Sequence, residues 1–215
     1  MLFRSIKASV DLAIERGSCE KTTETKYWTG KFPIDTYKKD VDELVKPVYK
    51  MDWEGLRKVV TKSGIRNSTL MAIMPAETSA QVSNSTNGIE PPRSLVSVKQ
   101  SKDGVMKQVV PEIRKLKNKY DLLWNQKSPE GYLKICAVIQ KFVDQGISVN
   151  TSYNPHHYEG EQIPMSELIK HVVMFYKYGG KQLYYFNTAD NAGEVALPEL
   201  EMSTTEDADC DSCKI

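Results

Sequence analysis

Apolar residues recur at intervals of three and four in several stretches of the chain, a spacing typical of one buried helix face. These stretches, at 2–14, 53–60, 113–124, 132–143 and 165–176, predict five helices, the last three of which begin at Pro111, at 128–130 and at Pro164. Asp52 is a candidate N-cap of the second helix, and Gly17 and Gly64 are candidate stop residues. Between the first two helices, the polar segment 18–47 predicts a long connection with at most short elements.

Shorter apolar runs predict buried strands at 70–74, 147–151 and Lys181–Thr188. A hairpin is predicted from 95–98 and 105–110, because Asp103-Gly104 between them favours a tight turn. Helices lie between the three buried strands, which is the α/β pattern of a mainly parallel sheet or barrel. Three strands are too few to close a barrel alone.

Composition narrows the classes of protein. A hydrophobic fraction of 40% in 215 residues supports a real core, and the net charge of +1 gives no argument for nucleic acid or a membrane surface. Four cysteines in a chain of this length do not make a disulfide framework, which indicates a reducing, cytoplasmic setting. Cys136 is interpreted as a small buried hydrophobe, and His156 and His157 as loop residues with a weak metal signal.

The segment Pro75-Ala76-Glu77-Thr78-Ser79 follows the strand predicted at 70–74. A strand that turns into a helix N-terminus presents unpaired backbone N–H groups and the positive end of the helix dipole, both of which attract phosphate. Without a glycine-rich cradle and a following lysine the segment is not a P-loop. An ordinary turn with a Ser or Thr cap remains the alternative.

Two adjacent tyrosines, Tyr184 and Tyr185, stand inside the last predicted strand. Neighbouring strand residues normally point to opposite faces. Taken alone, this stretch therefore predicts two separately packed core tyrosines, each with its hydroxyl hydrogen-bonded.

The end of the chain is acidic: residues 187–215 carry eight Asp or Glu residues against one lysine, and we expect them to be mobile. Cys210 and Cys213 lie at its very end. Two thiols at this spacing can close a disulfide ring and exchange electrons with other dithiols. Half of a zinc site is the alternative, but no second Cys or His pair is suitably placed. The accessible position favours a redox shuttle.

These motifs stand in one order: Pro-x-Glu-Thr-Ser, Asn-Gly-Ile-Glu-Pro-Pro, Tyr-Tyr, and an acidic tail ending Cys-x-x-Cys-Lys-Ile. In this order they resemble the C-terminal part of the large, catalytic subunit of class I aerobic ribonucleotide reductase. The resemblance implies a ten-stranded α/β barrel. Residues 1–188 would supply its last strands and helices, another chain would complete it, and residues 189–215 would form a flexible redox tail.

The resemblance also implies a role for each motif. Pro75–Ser79 would hold the diphosphate of a ribonucleoside diphosphate. Tyr184, nearer the active-site cysteine, and Tyr185, nearer the small subunit, would form a stacked pair that carries a radical. Cys210 and Cys213 would re-reduce the active site and be reduced by thioredoxin or glutaredoxin. The small subunit's C-terminal peptide would dock on the helix over 165–178.

In this family the radical-forming cysteine, the reducible cysteine pair and the nucleotide effector sites belong to a preceding, N-terminal portion, which no segment here matches. We therefore expect turnover only with an N-terminal large-subunit chain and the small, radical-generating subunit. This chain itself would bind no cofactor or metal. A truncated remnant is possible, but the joint presence of the three motifs favours a split subunit. A non-catalytic protein that captures the small subunit's tail is the alternative function.

Overall fold

The computed structural model describes residues 1–101 and 104–189, which form two hydrophobic cores with two small sheets. The helices of this part are α1 (Leu2–Arg16), α2 (Pro33–Thr36), α3 (Trp53–Ser63), α4 (Glu77–Val82), α5 (Ile113–Leu116), α6 (Glu130–Gln140) and α7 (Met165–Lys177). Its strands are β1 (Val96–Ser101), β2 (Gly104–Val109), β3 (Val149–Tyr153) and β4 (Leu183–Thr188), and short 3-10 turns connect several elements.

The first core lies between α1 and α3, the helices predicted from the first two apolar stretches. Ile6 and Val10 of α1 are buried together with Val60 of α3. The carboxylate of Asp52 accepts a hydrogen bond of 2.8 Å from the N–H of Gly55, which confirms its role as N-cap. Ile14, predicted to share the buried stripe, is exposed.

The segment 18–47 is more than a connection, because its apolar side chains complete both cores. Ile34 of the short helix α2 and Phe32, which precedes this helix, are buried in the first core. Val41 is buried in the second. The sequence did not predict that this segment contributes to the cores, because polar residues widely separate its apolar ones.

The second core joins α6, β3 and α7. Leu133, Cys136 and Val149 are fully buried there, which confirms that Cys136 is a core residue. The buried face of α6 is displaced from the predicted one, since Ile135 is exposed. On α7, Phe175 lies in this core.

The continuous helix predicted from Pro111 to Trp124 is wrong: α5 begins at Ile113, ends at Leu116 and is followed by two 3-10 turns, over Lys117–Lys119 and Leu123–Asn125. Four basic residues between 114 and 119 repel one another on consecutive turns, and Glu112 before α5 adopts a left-handed backbone. The apolar spacing there is therefore not matched by a continuous helix.

The strand predicted at 70–74 is also wrong, since only Ile73 forms a bridge, parallel to Ile147. The N–H groups of Leu70 and Met71 donate to the carboxylate of Asp144, each at 2.7 Å, instead of to a neighbouring strand. The segment still runs beside 145–148 and leads toward α4.

Sheet pairing follows the predicted pattern. β1 and β2 are antiparallel, which confirms the hairpin, although Asp103 lies outside the described residues. β3 and β4 are parallel. The described part of the chain contains α/β units but no closed barrel. Within the same part, no helix combines the length and apolar character needed to cross a bilayer.

Candidate functional site

A cavity of about 700 Å³ brings together two stretches that the sequence analysis had treated separately, the turn at 75–79 and the tyrosine pair. It is lined by Pro75, Ala76, Thr78, Ser79, Asn87, Arg93, Asn150, Tyr184, Tyr185 and Asn187. The lining is mostly polar and uncharged, with one guanidinium.

The turn enters the cavity at the start of α4. The first N–H groups of a helix have no acceptor within it, and here the earliest intrahelical bond of α4 runs from Ala80 N to Ala76 O. The side-chain oxygen of Asn87 accepts a hydrogen bond of 2.6 Å from the N–H of Ala76 and so fixes the turn. Thr78 and Ser79 are exposed toward the cavity with their hydroxyls available as donors. The backbone of Glu77 begins α4.

The tyrosines of β4 are neither buried nor on opposite faces, so both parts of that prediction are wrong. Tyr184 is 47% exposed and Tyr185 57% exposed. Their ring centroids are 4.1 Å apart with an angle of 53° between the planes, which is direct contact.

A β-bulge explains the contact between adjacent residues. Val149 pairs with Leu183 and Thr151 pairs with Phe186, so one residue of β3 stands opposite two residues of β4. A bulge interrupts the alternation of a regular strand and redirects the side chains at that position. The two redirected side chains are Tyr184 and Tyr185.

The site contains further polar residues to which the sequence alone assigned no role. Arg93 and Asn150 line the cavity together with Asn187, whose side-chain N–H₂ group is buried without a hydrogen-bond partner among the described residues. Asn87 is the first residue of the run Asn-Gly-Ile-Glu-Pro-Pro, and Arg93 directly follows it. This run served as a motif for the family resemblance, without a role for its residues. Asn150 and Asn187 could be found only from strand pairing.

The thiols that the structure describes are outside the cavity lining. Burial raises the pKa of the Cys136 thiol to about 11, so this thiol stays protonated and inert at neutral pH. Cys19 is free and half-buried beside the first core. Cys210 and Cys213 lie outside the described residues.

His171 and Tyr153 form a polar contact within the second half of the chain. The hydroxyl of Tyr153 is 2.9 Å from Nδ1 of His171, and Nε2 of His171 is 3.1 Å from the hydroxyl of Ser128. Burial lowers the pKa of His171 and raises that of Tyr153 to about 12, so both are neutral at pH 7. Tyr153 also stacks on Phe186 of β4, with ring centroids 5.0 Å apart.

Histidines and acidic residues do not form a metal site in the part of the chain described. No group of three or more His, Cys, Asp or Glu side chains there is arranged to hold an ion. His156 and His157 lie in a short 3-10 turn, as predicted for loop residues, and Nδ1 of His156 is 2.8 Å from a carboxylate oxygen of Glu161.

One side of α7 is an apolar surface. The side chains of Met165, Ile169, Val172, Val173 and Tyr176 are exposed. Docking of the small subunit's peptide on this helix stays a prediction.

The fold and the cavity define a fragment of an α/β domain whose polar cavity joins a helix-start turn to an exposed pair of tyrosines. Comparison with known proteins identifies its family: residues 1–186 match the family described as ribonucleotide reductase, barrel domain. The chain therefore belongs to the ribonucleotide reductase barrel-domain family, and this family implies an α/β barrel fold.

Relatives agree with this assignment. The chain is 50% identical over 213 residues to the ribonucleoside-diphosphate reductase subunit alpha of Buchnera aphidicola subsp. Baizongia pistaciae, covering 99% of this chain and 28% of that protein. The Haemophilus influenzae subunit alpha is 55% identical over 190 residues, covering 88% of this chain and 25% of its own length. For the Escherichia coli ribonucleoside-diphosphate reductase 1 subunit alpha the identity is 49% over 212 residues, with coverages of 98% and 28%.

The chain thus spans about a quarter of the length of these relatives. The resemblance to part of the reductase alpha subunit is confirmed.

Proposed function

We propose that this chain supplies one side of the active site of a ribonucleoside-diphosphate reductase alpha subunit, where it holds the substrate diphosphate and carries a radical toward the ribose. One observation supports this most directly: a single cavity contains both the turn at 75–79 and the contacting rings of Tyr184 and Tyr185. A relay has to end next to the substrate, and a phosphate-binding turn indicates where the substrate lies.

The diphosphate would bind at the start of α4. Within the segment 75–79, the backbone N–H groups of Glu77, Thr78 and Ser79 offer donors to phosphate oxygens, and the hydroxyls of Thr78 and Ser79 add two more. Arg93 supplies the positive charge at the same cavity, and guanidinium groups suit bidentate contacts to phosphate.

The phenols of Tyr184 and Tyr185 would carry the radical, because a phenol can lose an electron and a proton together and recover both. Because the ring centroids are 4.1 Å apart, the radical would have only a short distance to cross between the two rings. In this assignment Tyr184 is the ring nearer the active-site cysteine, and Tyr185 is nearer the small subunit.

The hydrogen-abstracting sulfur would come from the rest of the alpha subunit. In the described part of the chain no cysteine lines the cavity, and Cys136 is a buried, inert thiol. We propose that an N-terminal large-subunit chain contributes this sulfur, completes a ten-stranded barrel and carries the nucleotide effector sites. The radical cofactor would reside in the small subunit.

Cys210 and Cys213 would return the active site to its reduced state. A thiolate of this pair attacks the active-site disulfide that forms in turnover; the pair becomes a disulfide, and the active-site thiols take up the protons and electrons. Thioredoxin or glutaredoxin then reduces the tail disulfide in the cytoplasm, where such dithiols are kept reduced.

The relay is tested by removing one hydroxyl at a time from the reconstituted enzyme. Tyr184→Phe and Tyr185→Phe each keep the ring and its packing but lose the redox-active O–H, so ribonucleoside diphosphate reduction should fall to background while thermal unfolding is unchanged. Tyr49→Phe, an exposed tyrosine away from the cavity, is the matched control and should retain turnover. Normal turnover in either β4 variant would refute the relay.

The apolar surface of α7 favours a second candidate function, capture of the small subunit's C-terminal peptide without catalysis. Its exposed side chains suit an amphipathic partner. The two functions separate in one assay: both predict binding of the small subunit, but only the first predicts turnover once the N-terminal large-subunit chain is added.

A further inference from the structure

A buried pair of polar side chains lies directly behind the bulge that brings the tyrosines together. Asn150 of β3 is 7% exposed and Glu90 is 8% exposed. The side-chain N–H₂ of Asn150 donates to Oε1 of Glu90, and its oxygen accepts a hydrogen bond of 3.1 Å from the backbone N–H of Tyr185. This connects three segments that are far apart in the sequence.

The position of Asn150 follows from the register. It lies between Val149 and Thr151, so it is the single residue of β3 opposite Tyr184 and Tyr185, the two residues of β4 that lie between the paired positions. A bulge removes one backbone N–H from the regular ladder, and burying such a donor without a partner costs about 1–3 kcal/mol. The side chain of Asn150 supplies the acceptor that the ladder does not.

Glu90 determines which way this amide points. An ionised carboxylate only accepts hydrogen bonds, whereas an amide both donates and accepts. With its N–H₂ group held by Glu90, the amide of Asn150 must turn its oxygen toward the N–H of Tyr185. A flipped amide would bring an oxygen against the carboxylate and an N–H₂ group against the backbone donor.

We infer that Asn150, oriented by Glu90, is a positioning residue for the tyrosine pair: it stabilises the bulge that places both rings in one cavity and in contact. In a regular strand, Tyr184 and Tyr185 would point to opposite faces, and the rings would separate. This inference rests on the proposed relay for its functional meaning, but the ring contact itself is measured without any turnover.

The primary experiment measures the proximity of the two rings by NMR in the full chain with ring-labelled tyrosine, beside thermal unfolding. In the wild type we expect cross-relaxation between the rings of Tyr184 and Tyr185. Asn150→Leu keeps the size of the side chain but removes both hydrogen bonds, and it should abolish this signal in a chain that still unfolds cooperatively. Glu90→Gln places an amide that both donates and accepts beside Asn150, so it no longer fixes the orientation of that side chain, and the signal should weaken.

Asn154→Leu is the matched control. Asn154 follows the same strand and also makes two side-chain hydrogen bonds, to Trp124 O and from the N–H of His156, but it does not face β4 at the bulge. Its replacement should leave the ring contact intact. Loss of the contact in both asparagine variants would assign the effect to general destabilisation and overturn the inference.

Asn150→Asp tests the orientation without depending on Asn150→Leu being folded. It brings a second carboxylate against Glu90, so the pair should bind a proton more readily than an isolated carboxyl. We expect the ring contact to be weakened at neutral pH and to recover as the pH falls and the two groups share a proton, while the wild-type signal stays constant. A contact independent of pH in this variant would overturn the inference.

Turnover separates this inference from the relay on which it rests. With the assembled enzyme, Asn150→Leu should lower kcat about 100-fold, the size expected for a misplaced reacting group, and leave KM unchanged. If Asn150→Leu retains wild-type kcat and ring contact while Tyr185→Phe is inactive, the relay stands and the positioning role fails. If the tyrosine variants are active, the relay fails, and the ring contact still decides the role of Asn150.

Discussion

Asp144 anchors the segment that leads into the cavity, and replacing it by Asn tests that role. Its Oδ2 accepts hydrogen bonds from the N–H of Leu70 at 2.7 Å and from the hydroxyl of Tyr27 at 3.0 Å. Its Oδ1 accepts from the N–H of Met71 at 2.7 Å and from that of Gln145 at 3.0 Å. Both oxygens therefore face donors only.

Asp144→Asn keeps the shape but replaces one oxygen by an N–H₂ group that points at a backbone N–H. A buried donor without a partner costs about 1–3 kcal/mol, and hydrogen bonds to a charged oxygen are stronger than those to a neutral one by about 1 kcal/mol. Because Asp144 is only half-buried, we expect a loss of about 3 kcal/mol in the free energy of unfolding. For a chain of this size that lowers Tm by roughly 6–12 °C.

The loss is measured by urea unfolding, followed by tryptophan fluorescence and circular dichroism. Asp11→Asn is the matched control: its carboxylate makes an exposed pair with Lys7, and such pairs contribute at most about 1 kcal/mol. Asp144→Asn should also lower the pKa of Tyr27, because burial and the charge of Asp144 raise that pKa in the wild type. An Asp144→Asn chain as stable as Asp11→Asn would refute the anchoring role.

Two further predictions concern stability. Gly179 follows α7 with a φ of 83°, and a Cβ there would lie 2.9 Å from that of Lys38, so Gly179→Ala should cost about 1–2 kcal/mol. Gly131→Ala, in open space on α6, should instead stabilise by roughly 0.5 kcal/mol; equal effects in thermal unfolding would contradict the assignment. Lys141 is buried and pairs with Asp42 at 2.7 Å, which holds the pKa of Asp42 below its ordinary value of 3.8. The stability from this lowered pKa is present above about pH 4 and is lost as pH falls through the folded-state pKa. The stability difference between wild type and Lys141→Met should therefore shrink in acid, and a constant difference would exclude this linkage.

Periodicity predicted the helices whose apolar face packs on one core. α1, α3 and α6 each bury one side against neighbours on a core, whereas most of the apolar positions that predicted α7 are exposed and only Phe175 among them is buried. The strand predicted at 70–74 failed because its N–H groups bond to Asp144, a partner more than seventy residues away. No local pattern carries that information.

The candidate site shows the same division between local and distant causes. The turn at 75–79 and the tyrosine pair were each recognised from a short run of residues, and the structure places both on one cavity. The family resemblance implied a stacked tyrosine pair, but the local pattern did not predict the ring contact, because it depends on a bulge and on Asn150, which lies 35 residues before Tyr185. Strand alternation, applied to β4 alone, gave the opposite answer.

Steady-state reduction of a ribonucleoside diphosphate tests the central claim most directly. It is measured for this chain alone, for this chain with the small subunit, and for both together with an N-terminal large-subunit chain. Only the complete mixture should form deoxyribonucleotide, because in the proposed role the cavity binds the substrate and relays the radical, while none of its described lining residues is a cysteine that could abstract hydrogen. Product formed by this chain alone, or none formed by a complete mixture of folded parts, would contradict the account.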